Sequence, residues 1–332
     1  MCRVGIIGCG GMGNTHAGNL AALREIEIAG AADANLGAAK TLAGRFDGCT
    51  ATDDAEVLLR REDIDIVVVT TPTDTHAQYI QAAAERGKHV FAEKPLARTL
   101  EQADRALAAV ESAGVRLMVG MVLHFFPEYV TAKQVLDEGR VGRPAVMRTS
   151  RLSGHPRASD DWYANSERSG GLILDMLIHD LDLVRWYLGD IERVYAKSLT
   201  YRGLDHTDYA LITLRARSGA IAHIEGSWAL PMGSFITKLE VAGDQGLLEF
   251  DSESAAPLRV LRKPSADAAV PGVSVPESPV ARSPYQLEAE HFVACLRDGR
   301  PFAVSPEDAR AALEIALAAL ESSRTGQPVT IG

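Results

Sequence analysis

Along the first 120 residues the apolar and polar positions switch repeatedly between two rhythms. Short β-branched runs alternate with segments whose apolar residues recur every three or four positions, the pattern of parallel strands joined by crossover helices. Strands are expected at Arg3 to Gly8, Ile26 to Ala32, Cys49 to Thr52, Asp65 to Thr70, His89 to Ala92 and Arg116 to Val119. Helices are expected from the glycine turn to Leu23, then over Leu36 to Phe46, from an Asp53 cap to Leu59, and over Asp74 to Arg86 and Thr99 to Ser112. This rhythm predicts a doubly wound dinucleotide-binding sheet.

After Gly120 the pattern changes. One strongly helical block, Gly171 to Leu188, precedes four stretches of period-two alternation: Ile191 to Tyr201, Thr207 to Ala216, Ala220 to Trp228 and Ile236 to Ala242. Alternation of that kind marks a sheet with one wet face, so the second region reads as α+β. Pro264 to Pro284 reads as an exposed loop, and helix returns over Glu288 to Leu296 and Pro306 to Ser322. The fold class expected is α/β: a Rossmann domain over residues 1–122, then an α+β domain over 123–332 on a mostly antiparallel sheet.

The chain has 332 residues, room for two cores, and a formal charge of −10. The acidic balance and the lack of a Lys/Arg block argue against a nucleic-acid partner. No segment approaches the roughly 18 apolar residues of a membrane span, and glycines stop the first apolar run too early for a signal-peptide core. A cytoplasmic protein is expected. Cys2, Cys9, Cys49 and Cys295 are scattered, which fits free thiols in a reducing compartment.

Four constellations carry chemistry. Gly8, Gly10 and Gly13 stand in a G-x-G-x-x-G turn between an expected strand and helix, with Met12 inside it. There the first glycine permits the turn, the second admits a pyrophosphate and the third lets helix and strand pack. Asp33 ends the second strand about 20 residues on, where an acid meets the adenosine ribose and repels a 2′-phosphate, so NAD is expected. Thr71-Pro72-Thr73-Asp74-Thr75-His76 follows the fourth strand; Thr73 and Asp74 can be helix caps, which leaves His76 unexplained. Glu93-Lys94-Pro95 follows the fifth, and Lys94 is either a solvated loop charge or a cation beside the nicotinamide.

The fourth is Gly170-Gly171-Leu172-Ile173-Leu174-Asp175-Met176-Leu177-Ile178-His179-Asp180-Leu181-Asp182. On one continuous helix, Asp175, His179, Asp182 and Trp186 share a stripe, and Leu177, Ile178, Leu181, Val184 and Leu188 form an aliphatic side. A carboxylate at i and an imidazole at i+4 can touch, which raises the basicity of the ring. A metal site is a competing reading, but no second His-containing cluster completes a coordination shell, so no metal is expected. The bland reading is a helix that happens to expose an acid and an imidazole.

These motifs together resemble the glucose-fructose oxidoreductase and inositol dehydrogenase (Gfo/Idh/MocA) family: GIIGCGGMG at 5–13, TTPTDTH at 70–76, KHVFAEKP at 88–95 and GGLILDMLIHDLD at 170–182. The resemblance spans nearly the whole chain, including the closing helices around Gly299-Arg300-Pro301 and from Pro306. It implies a second domain with an open-faced sheet that often mediates homodimer or homotetramer contacts. It further implies an NAD-dependent enzyme that oxidises a secondary hydroxyl of a sugar, anhydrosugar or inositol-type polyol. By the same resemblance Lys94 is the cation near the reacting hydroxyl, His179 the proton acceptor and Asp175 its partner and substrate ligand. Gly8, Gly10, Gly13 and Asp33 match cofactor positions, and Thr71, Thr73, His76 and Glu93 line the cofactor.

Two departures fall in the expected substrate region. His124 stands where many similar proteins have arginine, and near Ser234-Phe235 a phenylalanine stands where inositol-dehydrogenase-like members commonly have tyrosine. With Asp161, Trp162 and Tyr163, His124 supplies hydroxyl partners and apolar faces suited to a polyol. Some relatives use NAD transiently to cleave glycosidic bonds and others are non-catalytic regulators. Retention of Lys94, Asp175 and His179 argues against the regulator.

Overall fold

A computed structural model describes residues 1–158, 160–200, 209–231, 233–254, 258–262 and 282–332. The chain begins with β1 (Cys2–Ile7), α1 (Gly11–Ala21), β2 (Ile26–Ala32), α2 (Leu36–Ala43), β3 (Thr50–Thr52), α3 (Ala55–Leu59) and β4 (Ile66–Val69). It continues through α4 (His76–Ala84), β5 (His89–Ala92), α5 (Leu100–Ala113), β6 (Leu117–Val119), α6 (Pro127–Asp137) and β7 (Pro144–Ser153). Next come α7 (Ser166–Ser169), α8 (Gly171–Asp175), α9 (Ile178–Leu188), β8 (Ile191–Leu199), β9 (Tyr209–Ala216), β10 (Ile221–Ser227), β11 (Phe235–Gly243) and β12 (Gly246–Asp251). The chain closes with β13 (Leu258–Arg262), α10 (Pro284–Asp298), α11 (Pro306–Thr325) and β14 (Val329–Thr330).

The fold divides into two compact units that are discontinuous in sequence. The first holds Met1–His124 together with Ala158–Gly170 and Ser283–Leu313; the second holds Phe125–Arg157, Gly171–Arg282 and Glu314–Gly332. A single cut after residue 122 therefore misses two segments, one before α8 and one around α10, that pack with the first unit.

In the first unit six parallel strands run in the order β3-β2-β1-β4-β5-β6. Val4, Ile6, Ile66, Val67, Val68 and Val69 are buried on both faces of the central strands, as expected of a sheet covered by helices. The order reverses between β1 and β4, and the carboxyl edge there is where ligands bind in open α/β sheets.

In the second unit eight strands run in the order β13-β12-β11-β7-β10-β9-β8-β14. The β7–β10 pair is parallel and the other pairs are antiparallel. One face packs on α8 and α9. The other exposes Tyr195, Leu199, Leu211 and Ile221, whereas Phe235, in register with Ser153, lies on the helix-side face near Arg151.

Several local expectations change. The helical block is two helices, because Leu177 N reaches back five residues to Leu172 O and interrupts the turn between α8 and α9. An inserted turn residue thus separates Asp175 from His179, Asp182 and Trp186, and Asp175 and Asp182 are buried. Asp54, not Asp53, caps α3, accepting from Glu56 N at 2.9 Å. Neither Thr73 nor Asp74 caps α4, which follows a 3₁₀ turn over Thr73–Thr75. Most of the Pro264 to Pro284 loop, and the ends of the alternating stretches at Tyr201 and Thr207, lie outside the described residues.

Candidate functional site

The β1–α1 turn is dictated by its glycines. Gly8 has φ +95°, and a β-carbon there would lie 2.6 Å from the Thr70 carbonyl. At Gly13 a β-carbon would lie 2.0 Å from Gly8 O, so helix and strand approach only because it is absent. Gly10 differs: a β-carbon there would meet nothing within 4 Å. Gly10 is also the N-cap of α1 and gives the first-turn N–H groups no side-chain partner, which suits an anion in that place. Met12 lies in that turn, partly exposed.

Asp33 is built into the same edge. Its Oδ2 accepts from Cys9 N at 2.7 Å and its Oδ1 from Asn35 N at 2.8 Å. A carboxylate has about four lone-pair sites, so both oxygens keep capacity for ribose hydroxyls. Burial first, and the Asp33 charge second, push the Cys9 thiol up to about 12, which leaves it inert. Arg45, a nearby cation, donates to Asn14 Oδ1 at 2.7 Å and is held on α1. These features fit a dinucleotide lacking a 2′-phosphate.

Thr70, which sequence reasoning missed, donates to Gly8 O at 2.6 Å and ties β4 to the glycine turn. After it, the Thr71 hydroxyl accepts from Thr75 at 2.8 Å, and the Thr73 hydroxyl is buried with no partner among the described residues. Asp74 pairs with Arg168 at 3.2 Å. His76 is buried with Nδ1 2.7 Å from Pro95 O and Nε2 2.7 Å from Thr71 O. Both ring nitrogens thus lie against main-chain carbonyls, the single N–H of the neutral ring donating to one of them, and the ring spans the turns after β4 and β5. Burial holds its pKa below the usual imidazole value.

Glu93 turns inward. Its Oε1 lies 2.7 Å from His16 Nε2 on α1, and its Oε2 accepts from Lys94 N at 3.1 Å. Burial alone would raise its pKa. The His16 hydrogen bond and charge outweigh burial, with help from Lys94 and His76, so the carboxyl sits below its ordinary value. Sequence offered one signal for His16, an imidazole at a helix position facing the sheet. Lys94 is half-buried, before a cis peptide bond to Pro95.

Asp161, Trp162 and Tyr163 also belong to the first unit. Asp161 adopts φ 48°, and the two aromatic rings stack at 3.9 Å. Arg98 holds this segment by donating to Glu167 O and Ser166 O at 3.0 and 3.1 Å. His124 is half-buried at the end of that unit's continuous stretch.

Asp175 and His179 belong to the second unit, the latter partly exposed at the start of α9. The next residue, Asp180, anchors the helix: Arg151 Nε of β7 donates to its Oδ2 at 2.5 Å, with both side chains buried. Burial would lower the pKa of Arg151, but the Asp180 charge and hydrogen bond raise it, so the guanidinium stays charged. A hollow on the exposed face of this sheet, lined by Arg148, Ser150, Lys238, Glu240, Glu249 and Asp251, contains none of the residues singled out above. Among the described residues no cluster of three or more His, Cys, Asp or Glu could hold a metal ion. No described helix is long and apolar enough to cross a membrane.

Comparison with known proteins bears on the whole arrangement. Residues 2–121 match a family model described as an oxidoreductase family with an NAD-binding Rossmann fold. Residues 129–249 match the GFO/IDH/MocA C-terminal domain. The NAD(+)-dependent scyllo-inositol 2-dehydrogenase of Bacillus subtilis strain 168 is 31% identical over 99% of this chain and 96% of its own length. The chain belongs to the GFO/IDH/MocA family of oxidoreductases. A second member, inositol 2-dehydrogenase of Rhizobium meliloti strain 1021, is 30% identical over 99% of both chains. The solved structure of levoglucosan dehydrogenase with NADH superposes with a TM-score of 0.88 at 25% identity, covering 100% of this chain and 99% of that one. As a GFO/IDH/MocA member with an NAD-binding Rossmann fold, the protein is an NAD-dependent oxidoreductase. The glycine turn and Asp33 are the parts of this chain that fit that cofactor.

Proposed function

We propose that the protein oxidises a secondary hydroxyl of a sugar, anhydrosugar or inositol-type polyol to a ketone, with NAD as the hydride acceptor. The observation that carries this reading is the end-to-end similarity to the NAD(+)-dependent scyllo-inositol 2-dehydrogenase, supported by the levoglucosan dehydrogenase fold. The first-turn N–H groups of α1 and the space beside Gly10 hold the pyrophosphate, and Asp33 accepts from the ribose hydroxyls. Met12, Thr71 and Thr73 line the rest, while His76 and Glu93 fix the turns that carry them.

His179 accepts the hydroxyl proton as general base, and Asp175 supports the basicity of its ring. Lys94 balances the charge that develops on the alkoxide, an effect strongest where water is excluded. His124, Asp161, Trp162 and Tyr163 supply the hydrogen bonds and apolar faces that a polyol needs. The apolar residues on the exposed sheet face of the second unit, Leu199 and Leu211 foremost, are the contact by which the chain forms a homodimer or homotetramer.

Purified protein with NAD and a panel of scyllo-inositol, myo-inositol and levoglucosan, followed by nicotinamide absorbance, tests the reading. Accumulating NADH is expected. With an added aryl glycoside, release of the aglycone without net NADH would identify a glycosidase instead. His179→Ala should lower turnover by roughly 10² to 10⁴ and flatten its rise with pH, while NADH binding measured by fluorescence persists. Lys94→Arg should recover little of what Lys94→Ala loses, because a planar fork does not replace a compact ammonium at one oxygen.

A further inference from the structure

Helix α10 packs against α1 in the first unit, and it carries a buried acid that the reaction above does not use. Glu288 is 1% exposed, and neither of its carboxyl oxygens has a hydrogen-bond partner among the described residues. Its helical neighbours face the His16–Glu93 pair. Tyr285, three residues before it, meets the His16 ring edge-on at 6.1 Å, and Phe292, four residues after it, meets Phe91 at 5.4 Å. The His16 ring in turn lies 4.8 Å from Phe91, two residues before Glu93.

We propose that His16, Glu93 and Glu288 form a buried acid–imidazole cluster that positions Lys94, with Glu288 as its neutral member. A carboxylate without a partner inside a protein is far costlier than a carboxylic acid, so the burial of Glu288 selects the protonated form. Burial first, and the Glu93 charge second, hold its pKa well above the ordinary value. Glu93 is then the one anion of the cluster. It accepts from His16 on one oxygen and from the Lys94 main chain on the other, which fixes the turn that presents the ammonium. Ionising Glu288 would set a second negative charge beside the first and disturb that turn.

Ionisable groups face this place from each packed element. They are His16 from α1, Glu93 and Lys94 from the turn after β5, His76 from α4, and Tyr285 on α10 itself. The charges near the far end of α10 are engaged elsewhere: Arg116 donates to Cys295 O, and Arg297 pairs with Asp298 and Glu25.

The role given to Lys94 rests on the proposed function, so the test has one arm that does not. The folded chain keeps on Glu288 a proton that the unfolded chain releases above about 4.5, the ordinary glutamate value. Wild-type stability should therefore fall as pH rises from that value toward the raised one, by up to tenfold in the folding equilibrium per pH unit. Glu288→Gln, which mimics the neutral acid, should remove this slope. Its melting temperature should overtake that of wild type by a margin that widens from pH 5 to pH 9. Glu288→Met serves as a second variant that also lacks the proton. A constant offset across pH in both variants would overturn the neutral assignment.

The second arm is the pH profile of turnover with the best substrate of the panel above. Wild-type turnover should decline at the alkaline end, and Glu288→Gln should keep near-normal turnover at pH 7 while losing that decline, with NADH affinity unchanged. His16→Gln, which can still donate to Glu93, should retain several-fold more turnover than His16→Leu. A widening melting margin with an unchanged turnover profile would overturn the positioning role. Lys94→Ala with normal turnover would instead overturn the proposed function and leave the melting result standing.

Discussion

The turn between β1 and α1 and the junction between β7 and α9 are both fixed by partners distant in sequence, but by opposite means. In the turn, glycines remove atoms so that backbone can touch backbone: the Gly13 site leaves 2.0 Å between a would-be β-carbon and Gly8 O. At the junction a guanidinium and a carboxylate are pushed into the core and satisfy each other, Arg151 to Asp180 at 2.5 Å. Steric removal leaves a mark in the sequence at each residue involved. Charge pairing leaves two unremarkable charged residues 29 positions apart.

Breaking the pair should have the largest effect. Arg151→Met leaves Asp180 buried and unpaired, for which a loss of about 3–5 kcal/mol is usual. Adding Asp180→Leu should restore most of it, because the pair as a whole is worth little more than apolar contacts of the same volume. Urea unfolding of the two single variants and the double variant measures this. If Arg151→Met alone unfolds at wild-type urea concentrations, charge pairing is not what holds α9 to the sheet, and the contrast with the glycine turn collapses.

The same contrast explains what could be read from the sequence. The first sheet was legible because its central strands are apolar on both faces and its turns carry glycine or proline; His89–Ala92 falls where the pattern put it. Strand β7 was missed although it lies in the middle of the second sheet, because Thr149, Arg151 and Ser153 point into the core and break the apolar alternation. The expected helix over Gly171 to Leu188 failed at Leu177, since hydrophobic periodicity does not register one inserted turn residue. Of the candidate site, Gly8, Gly10, Gly13 and Asp33 could be named from spacing. His16, Thr70 and Glu288 could not, because each acts through a partner on another element.

Next in size is a test that divides the glycines themselves. Gly13→Ala drives a β-carbon into Gly8 O, backbone that cannot rotate away, so destabilisation at or beyond the upper end of ~1–3 kcal/mol is expected. Gly10→Ala meets no protein atom within 4 Å and should melt within a few degrees of wild type. Its β-carbon would occupy space that the pyrophosphate needs, so NADH affinity should fall at least tenfold. Thermal melting beside fluorescence titration separates the two. Equal loss of stability in both variants would mean that Gly10 serves packing and not the ligand.

The smallest effect expected sits at Asp33, where charge and backbone meet. Each of its oxygens already accepts one main-chain N–H, from Cys9 and from Asn35, so the side chain is held still before any cofactor arrives. A fixed carboxylate accepts from a ribose 2′-hydroxyl and repels a phosphate at that place. Asp33→Ser removes both the acceptor and the repulsion, and Arg45, held on Asn14, offers no ready cation for the phosphate. The NAD over NADP ratio of kcat/KM should therefore narrow by about tenfold, near the worth of one hydrogen bond to a charged group, mainly through loss of NAD efficiency. Part of that loss comes from loosening Cys9 N and Asn35 N. Asp33→Asn separates the contributions, since it keeps one acceptor for the loop and drops the charge. If Asp33→Asn narrows the ratio as far as Asp33→Ser, charge sets the preference. If Asp33→Asn keeps the wild-type ratio, charge does not set the preference, and the β1–α1 turn selects its cofactor by shape and hydrogen bonding alone.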